Sequence, residues 1–180
     1  MAIPSQKVED LITKIIKREG GYVDNSSDAG GPTCWGITQG TLSQWRGYPV
    51  SAEEVAMLPV DVARQIYRKN YFYAPGFDAI DDPELQEFMV DFGVNSGPGA
   101  ATKALQTSLL GMGLNPGAID GDLGPKTRAA LALCRNIPEL YYRVKSERWE
   151  LLLRYIGRDH RQAIFAAGWS NRLEELNDDT

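Results

Sequence analysis

Residues 19–38 read EGGYVDNSSDAGGPTCWGIT, and this stretch marks where a helical pattern gives way to an irregular one. Ahead of it, apolar side chains recur at the spacing of one helix face, which predicts an amphipathic helix from about Ser5 to Glu19. The pair Gly20-Gly21 ends that helix. Beyond the pair, Gly, Asn, Ser and Asp residues are interrupted by single aromatic and aliphatic ones, which is typical of an irregular loop or a short β-hairpin.

Most of the remaining chain carries helix-start signals, including a capping box at Ser51 and Glu54. Further helices are expected from Pro59 to Tyr71, from Pro83 onward, from Pro98 to Leu110, from Pro125 to Arg135, from Pro138 to Ile156 and over 161–176. The glycine-rich segment 111–124 predicts a loop with Ile119 as its one buried residue. The fold class that follows is mainly α, with a small β-hairpin or loop lobe near residues 21–38.

Length, charge and the histidine and cysteine content limit the classes of partner and metal site that the chain can have. The chain has 180 residues, enough for one good-sized domain or two small ones that share a core. Its net charge of −5 and pI near 5.0 disfavour nucleic acid as a partner, because phosphate binding requires a basic surface. The single histidine, His160, excludes multi-histidine zinc sites. Cys34 and Cys134 lack metal-ligand spacing and are expected to be free, mostly buried thiols, with a disulfide as the alternative.

The N-terminal stretch carries Glu9 and Asp10 where a signal peptide would have its apolar segment. No run of about 18 apolar residues occurs in the sequence. We therefore expect a protein made in soluble form, without a signal peptide or stable membrane association, whose export depends on other factors.

Glu19 is placed where a helix tolerates a carboxylate poorly. The last turn is the negative end of the helix macrodipole, which costs a carboxylate about 0.3–1 kcal/mol. The same field favours the protonated form, which a general acid requires, so the broken local rule suggests a function. The alternative is a solvated glutamate at a helix end.

Asp28 and Thr33 lie in the loop that follows. A hairpin would fold Asp28 back opposite Glu19, and two carboxylates across a cleft, one protonated and one ionised, are the arrangement used in glycoside hydrolysis. The Thr33 hydroxyl would then hold a water. Both residues also suit ordinary turns, which is the structural alternative.

Asp120 and Asp122 suggest a calcium loop. An EF-hand would need a bidentate glutamate at the position where Leu131 stands. A turn ahead of the helix that starts at Pro125 is therefore the favoured interpretation, and no metal site is expected.

The quoted stretch resembles a known family. EGGY followed by D-x-G-G-x-T-x-x-G-I-T is similar to the signature of family 108 glycoside hydrolases, lysozyme-like N-acetylmuramidases common among phage and prophage endolysins. The resemblance continues through IYRKNY at 66–71, FGVNSG at 92–97 and GWSNR at 168–172. The DGDLGPKT stretch at 120–127 resembles the predicted peptidoglycan-binding region that follows the catalytic part in this family.

The resemblance implies a lysozyme-like helical fold with a catalytic region at 1–97. A peptidoglycan-binding helical region at 98–180 would pack on it as one structural unit. Glu19 would be the catalytic acid, and the order of Glu, Asp and Thr, similar to the triad of T-even phage lysozymes, implies Asp28 and Thr33 as its partners. The gap from Asp28 to Thr33 is one residue shorter than in those lysozymes, and Cys34 stands where a polar residue is expected.

Three further residues are candidates for binding sugar. Tyr22 and Trp35 would stack on sugar rings, with core packing as the alternative. Asn95 lies where a helix ends beside Pro98, and its amide suits the N-acetyl and hydroxyl groups of a hexosamine. The alternative is that Asn95 caps the helix that starts at Pro98 or adopts the left-handed turn before it.

The function that follows is an endolysin-type muramidase that cleaves the β-1,4 bond between N-acetylmuramic acid and N-acetylglucosamine in bacterial peptidoglycan. A lytic transglycosylase that uses Glu19 alone and a non-catalytic peptidoglycan-binding protein are the alternatives. No cofactor is needed, and we expect a monomer. It would be made in the cytoplasm of the host bacterium and reach the cell wall through a holin or another export route.

Overall fold

The structure, a computed structural model, describes residues 3–23 and 31–158. Asp28, His160, the helix expected at 161–176 and the GWSNR motif at 168–172 lie outside these ranges. The chain forms two compact units, Met1–Asp78 and Ala79–Thr180.

The described ranges contain eight α-helices and one small antiparallel sheet, which confirms the mainly α fold with a β lobe near residues 21–38. The first unit contains α1 (Gln6–Glu19), β1 (Tyr22–Val23), β2 (Thr33–Cys34), β3 (Ile37–Thr38), α2 (Gln39–Arg46), α3 (Ala52–Ala56), α4 (Val60–Arg68) and a π-helix (Lys69–Tyr73). A 3₁₀ turn (Phe77–Ala79) follows, and then α5 (Pro83–Ser96), α6 (Pro98–Gly111), α7 (Pro125–Leu133) and α8 (Ile137–Arg158).

Helix α1 forms where its sequence predicts it. The Ser5 hydroxyl accepts a hydrogen bond from the Val8 amide, which caps the helix start. The five apolar residues at helical spacing are all buried: Val8, Leu11, Ile12, Ile15 and Ile16. Gly20 ends the helix with a φ of 71°, a value that glycine adopts without the steric cost of a Cβ.

Polar contacts join α1 to α4. Both oxygens of the Glu9 carboxylate accept hydrogen bonds from Arg68, at 2.7 and 2.6 Å. One turn away, Arg64 donates to the Thr13 hydroxyl at 2.8 Å. Bidentate pairing of this kind fixes orientation as well as distance, so it sets how α4 lies against α1.

A helix forms where one is expected from Pro59 to Tyr71, but its last part is a π-helix and not an α-helix. The α-helical part stops at Arg68, and a π-helical turn continues to Tyr73, with the Ala74 amide bonded to the Lys69 carbonyl at 2.8 Å. A π-helical turn is rare and occurs mostly as a single turn within an α-helix, so the ordinary helical pattern did not indicate it.

In the second unit, α5 packs against α6 and α8. Its apolar face, which includes Leu85, Phe88, Met89 and Phe92, is buried. A buried ion pair joins Asp91 on α5 to Arg148 on α8 at 2.8 Å. Helix α5 therefore packs within the second unit. The boundary between residues 97 and 98 and the packing of the two regions as one structural unit stay predictions.

The prediction for the 111–124 loop is wrong in one respect. Ile119 is 38% exposed, whereas Leu123 is 3% exposed and fills the interior instead. The buried Gln106 side chain bonds to the backbone and side chains of residues 120–122, and this anchor orients the end of the loop, not its middle, toward the core.

Both cysteines are free and buried, as expected. None of the described helices is long and apolar enough to cross a membrane.

Candidate active site

Glu19 is the last residue of α1, and its side chain is exposed. The chain turns at Gly20 into strand β1, and the Gly20 carbonyl accepts a hydrogen bond from the Trp35 amide at 3.1 Å. The end of the helix is thereby joined directly to the turn between β2 and β3. This contact places the end of α1 beside the turn between β2 and β3.

The two residues of β2 place their side chains on opposite faces of the sheet. Thr33 pairs with Val23 and Thr38, whereas Cys34 pairs with Tyr22 and Ile37. Because side chains alternate along a strand, Cys34 points into the core and Thr33 points the other way, where it is half-buried. Burial raises the pKa of the Cys34 thiol, so it stays neutral and packs as a small apolar group.

The turn between β2 and β3 contains only Trp35 and Gly36. Both have a positive φ, 55° and 73°, which is the pattern of the tight hairpin turn that usually carries Asn-Gly. A Cβ atom at residue 36 would lie 2.6 Å from the Tyr67 hydroxyl and 2.9 Å from Cγ of Glu19. Only glycine fits there, because its bare Cα lies against both side chains.

Tyr67 of α4 is a site residue that the sequence alone did not single out. Its hydroxyl donates to the Trp35 carbonyl at 3.2 Å, and the residue is 5% exposed. Burial raises its pKa, and the negative charge of Glu19 raises it further, so the phenol stays protonated beside the carboxylate. Two signals were available: the family-like stretch at 66–71, and the helical spacing that sets Tyr67 on the same face as Arg64.

Glu19, Tyr22, Thr33 and Trp35 all lie in the first unit, but the strand register sets Tyr22 on the face of Cys34 and Thr33 on the opposite face. Tyr22 is 41% exposed on β1. The Trp35 indole is half-buried, and its Nε1 donates to the Leu58 carbonyl at 2.9 Å, so this side chain also holds the lobe in place. Asp28 lies outside the described residues.

Asn95 lies in the second unit, inside α5. Its amide donates to the Asp91 carbonyl at 2.6 Å, one helical turn back. Gly97, not Asn95, occupies the N-cap position of α6, so the capping alternative is wrong. A role for Asn95 in binding sugar stays a prediction.

Asp120 and Asp122 belong to a turn. The Asp120 carboxylate accepts hydrogen bonds from the Gln106 amide and from the Asp122 backbone, both at 2.9 Å. In the described ranges, no group of three or more His, Cys, Asp or Glu residues is arranged to hold a metal ion.

The described residues form a mainly α fold with a small antiparallel sheet, which is consistent with a lysozyme-like fold. Residues 12–97 match the family described as Glycosyl hydrolase 108, and residues 100–174 match the Predicted Peptidoglycan domain. The chain belongs to the glycosyl hydrolase 108 family, and it is a glycoside hydrolase that acts on peptidoglycan.

A solved structure agrees with this membership. That of Brucella abortus SagA is 31% identical in sequence and superposes with a TM-score of 0.72 over 96% of this chain and 92% of that chain. Among functionally curated proteins, none matches the chain significantly.

Proposed function

We propose that the protein is an N-acetylmuramidase, which hydrolyses the β-1,4 bond between N-acetylmuramic acid and N-acetylglucosamine. The observation that carries the proposal is the Glu19 carboxylate at the end of α1, held against the turn that follows Thr33. Glu19 would donate a proton to the leaving oxygen, because a sugar alkoxide is too poor a leaving group to depart unprotonated. No cofactor takes part in this reaction.

The exposure of Glu19 supports a polymeric substrate, since a glycan strand must lie across the site to present an internal bond. Tyr22 on β1, the strand that follows Glu19 and its two glycines, offers an exposed ring on which a sugar can stack. Asp28, ionised, would either activate a water held with Thr33 or stabilise the developing oxocarbenium charge. Thr33 supports hydrolysis over an internal transglycosylation, because only hydrolysis requires a bound water.

The proposal also covers the origin of the enzyme and its route to the cell wall. An endolysin-type enzyme of bacteriophage or prophage origin would be made in the bacterial cytoplasm and reach the wall through a holin or another export route. It would act there as a bacteriolytic, antimicrobial monomer.

Mass spectrometry of muropeptides released from purified sacculi tests the reaction. Hydrolysis should produce new reducing ends on N-acetylmuramic acid, whereas transglycosylation would produce 1,6-anhydro ends and a non-catalytic binding protein would release nothing. Either of the latter outcomes contradicts the proposal.

Glu19→Gln tests the acid. The amide keeps the shape and delivers no proton, so the rate of sacculus digestion should fall by about 10²–10⁴-fold or more, with an unchanged Tm. The matched control is Glu150→Gln, which removes an exposed carboxylate on α8 and should leave the rate unchanged. A Glu19→Gln rate above about a tenth of normal would contradict the assignment.

Asp28→Asn and Thr33→Ala rank the partners of Glu19. Asp28→Asn should reduce turnover heavily, because a lost charge opposite an oxocarbenium-like state outweighs one lost water contact. Thr33→Ala should cost less. If Asp28→Asn were near wild type and the products carried 1,6-anhydro ends, the transglycosylase mechanism would replace the hydrolytic one.

A further inference from the structure

Trp35 holds an unfavourable backbone conformation beside Glu19. A bulky residue rarely adopts its φ of 55°, because the Cβ crowds the neighbouring carbonyl oxygen. Three hydrogen bonds keep it there: its amide donates to Gly20 at 3.1 Å, its indole donates to Leu58 at 2.9 Å, and its carbonyl accepts from Tyr67 at 3.2 Å. A strained residue that is fixed from three sides is typical of sites where geometry serves a function.

The carbonyl contact matters most for Glu19. Fixing the Trp35 carbonyl also fixes the next residue, Gly36, whose Cα lies against the Glu19 side chain. A Cβ at residue 36 would lie 2.9 Å from Cγ and 3.2 Å from Cβ of Glu19. The turn therefore forms a wall beside the two aliphatic carbons that determine where the Glu19 carboxylate points.

Tyr67 is itself held firmly. It lies between Arg64 and Arg68 on α4, and these two arginines bond to Thr13 and Glu9 on α1, the helix that ends in Glu19. The two arginines therefore hold α4 against α1, and the Tyr67 hydroxyl holds the turn between β2 and β3 against α4. The electrostatic effect of Glu19 on Tyr67 agrees with the closeness of the two groups.

We propose that Tyr67 is a positioning residue for Glu19: its hydroxyl holds the Trp35 carbonyl, so that Gly36 restricts the rotamers of the Glu19 side chain. The inference rests on the proposed role of Glu19 as the acid. Tyr67 does not touch the substrate in this mechanism. It acts by keeping the carboxyl group aimed at the glycosidic oxygen, and a misplacement of about 1 Å is enough to cost about 100-fold in rate.

Tyr67→Phe tests the proposal, because it removes the hydroxyl and keeps the ring. We expect kcat on soluble glycan oligomers to fall by about 10- to 100-fold, with KM little changed. The matched control is Tyr71→Phe, whose ring lies 5.7 Å from that of Tyr67 and which should keep the wild-type kcat. A purely structural hydroxyl would lower Tm and leave kcat per folded molecule intact, and that result would overturn the proposal.

Gly36→Ala and the double variant Gly36→Ala/Tyr67→Phe separate the two contacts of the turn. In the double variant, phenylalanine at residue 67 has no hydroxyl to lie 2.6 Å from the alanine Cβ at residue 36. The close contact of that Cβ with the Glu19 side chain remains. The double variant should therefore stay as impaired as Gly36→Ala, measured as kcat on molecules shown by circular dichroism to be folded. If the kcat of the double variant recovered to that of Tyr67→Phe, the contact between Gly36 and Glu19 would not restrict the Glu19 side chain, and this part of the proposal would be wrong.

The tests distinguish the two proposals. If Glu19→Gln stays active, the proposed function fails whatever Tyr67→Phe does. If Glu19→Gln is inactive and Tyr67→Phe matches Tyr71→Phe, only the positioning role fails.

Discussion

Within the described residues, the surroundings of Glu19 and Gly36 and those of Asp120 and Gly121 each combine a carboxylate with a glycine in a turn, and they use the carboxylate differently. In the second, the Asp120 carboxylate is itself the acceptor and binds the Gln106 amide and the Asp122 amide. In the first, the hydrogen bonds go to the backbone of the turn, and the carboxylate lies exposed beside it. A carboxylate used by its own loop stabilises the loop, whereas one placed beside a turn that other groups hold is available to a ligand.

Gln106 makes the second turn a structural one. The residue is 1% exposed, and its amide nitrogen lies within hydrogen-bond distance of Asp120, Asp122 and Thr127. Its amide oxygen accepts from the Gly121 backbone at 3.0 Å. One buried side chain thus bonds to four polar atoms of the DGDLGPKT stretch, and these bonds satisfy its own amide group as burial requires.

If this comparison is right, changes in the second turn should alter stability and leave activity alone. The largest effect is expected from Gln106→Leu, which keeps a similar side-chain volume and removes the hydrogen bonds that Gln106 makes to the loop. The free energy of unfolding should fall by about 3 kcal/mol, because the loop loses about three hydrogen bonds that each contribute about 1 kcal/mol. Urea denaturation measures the loss, and Gln44→Leu on the exposed face of α2 is the control. A large fall in kcat of the folded Gln106→Leu protein would break the comparison.

A smaller effect is expected from Gly121→Ala. Its φ of 86° is unfavourable for alanine, and the added Cβ would lie 2.9 Å from the Gly99 carbonyl oxygen. Gly113→Ala is the matched control, because its φ of 79° is similar and no atom lies within 4 Å of the added Cβ. We expect the free energy of unfolding to fall by about 2 kcal/mol in Gly121→Ala and by about 1 kcal/mol in Gly113→Ala. The part that the two variants share is the cost of a positive φ for alanine. Equal losses in thermal unfolding would show that the approach to Gly99 is unimportant.

The smallest effect is expected from Asp120→Asn, and it should appear only in acid. Hydrogen bonds from Gln106 and from the Asp122 backbone hold the pKa of Asp120 below its usual value. A lowered pKa adds stability above the ordinary pKa of the carboxyl, and this stability is lost as the pH falls below about 4. The Tm of the wild type should therefore fall more steeply than that of Asp120→Asn below this pH. Parallel profiles would argue against the carboxylate as the anchor.

Local rules predicted the elements well. Ser5, the apolar spacing of α1 and the glycines after Glu19 act within a few residues of one another, so the sequence contains the whole signal for that helix. The capping box at Ser51 and Glu54 forms with both of its hydrogen bonds for the same reason. Glu19 could be selected as a candidate because a carboxylate at a helix C-terminus breaks a rule that needs no tertiary information.

The sequence by itself determined the helices, the position of the small sheet and the residue types offered for catalysis, because these depend on short-range spacing and on chemistry. Only the tertiary structure decided that Tyr67 holds the Trp35 carbonyl, that Leu123 rather than Ile119 is buried, and that α5 packs with the second unit. Each of these depends on a partner far along the chain. The free energy of such a contact comes from fitting two surfaces together, and no pattern within one segment specifies the surface that it will meet.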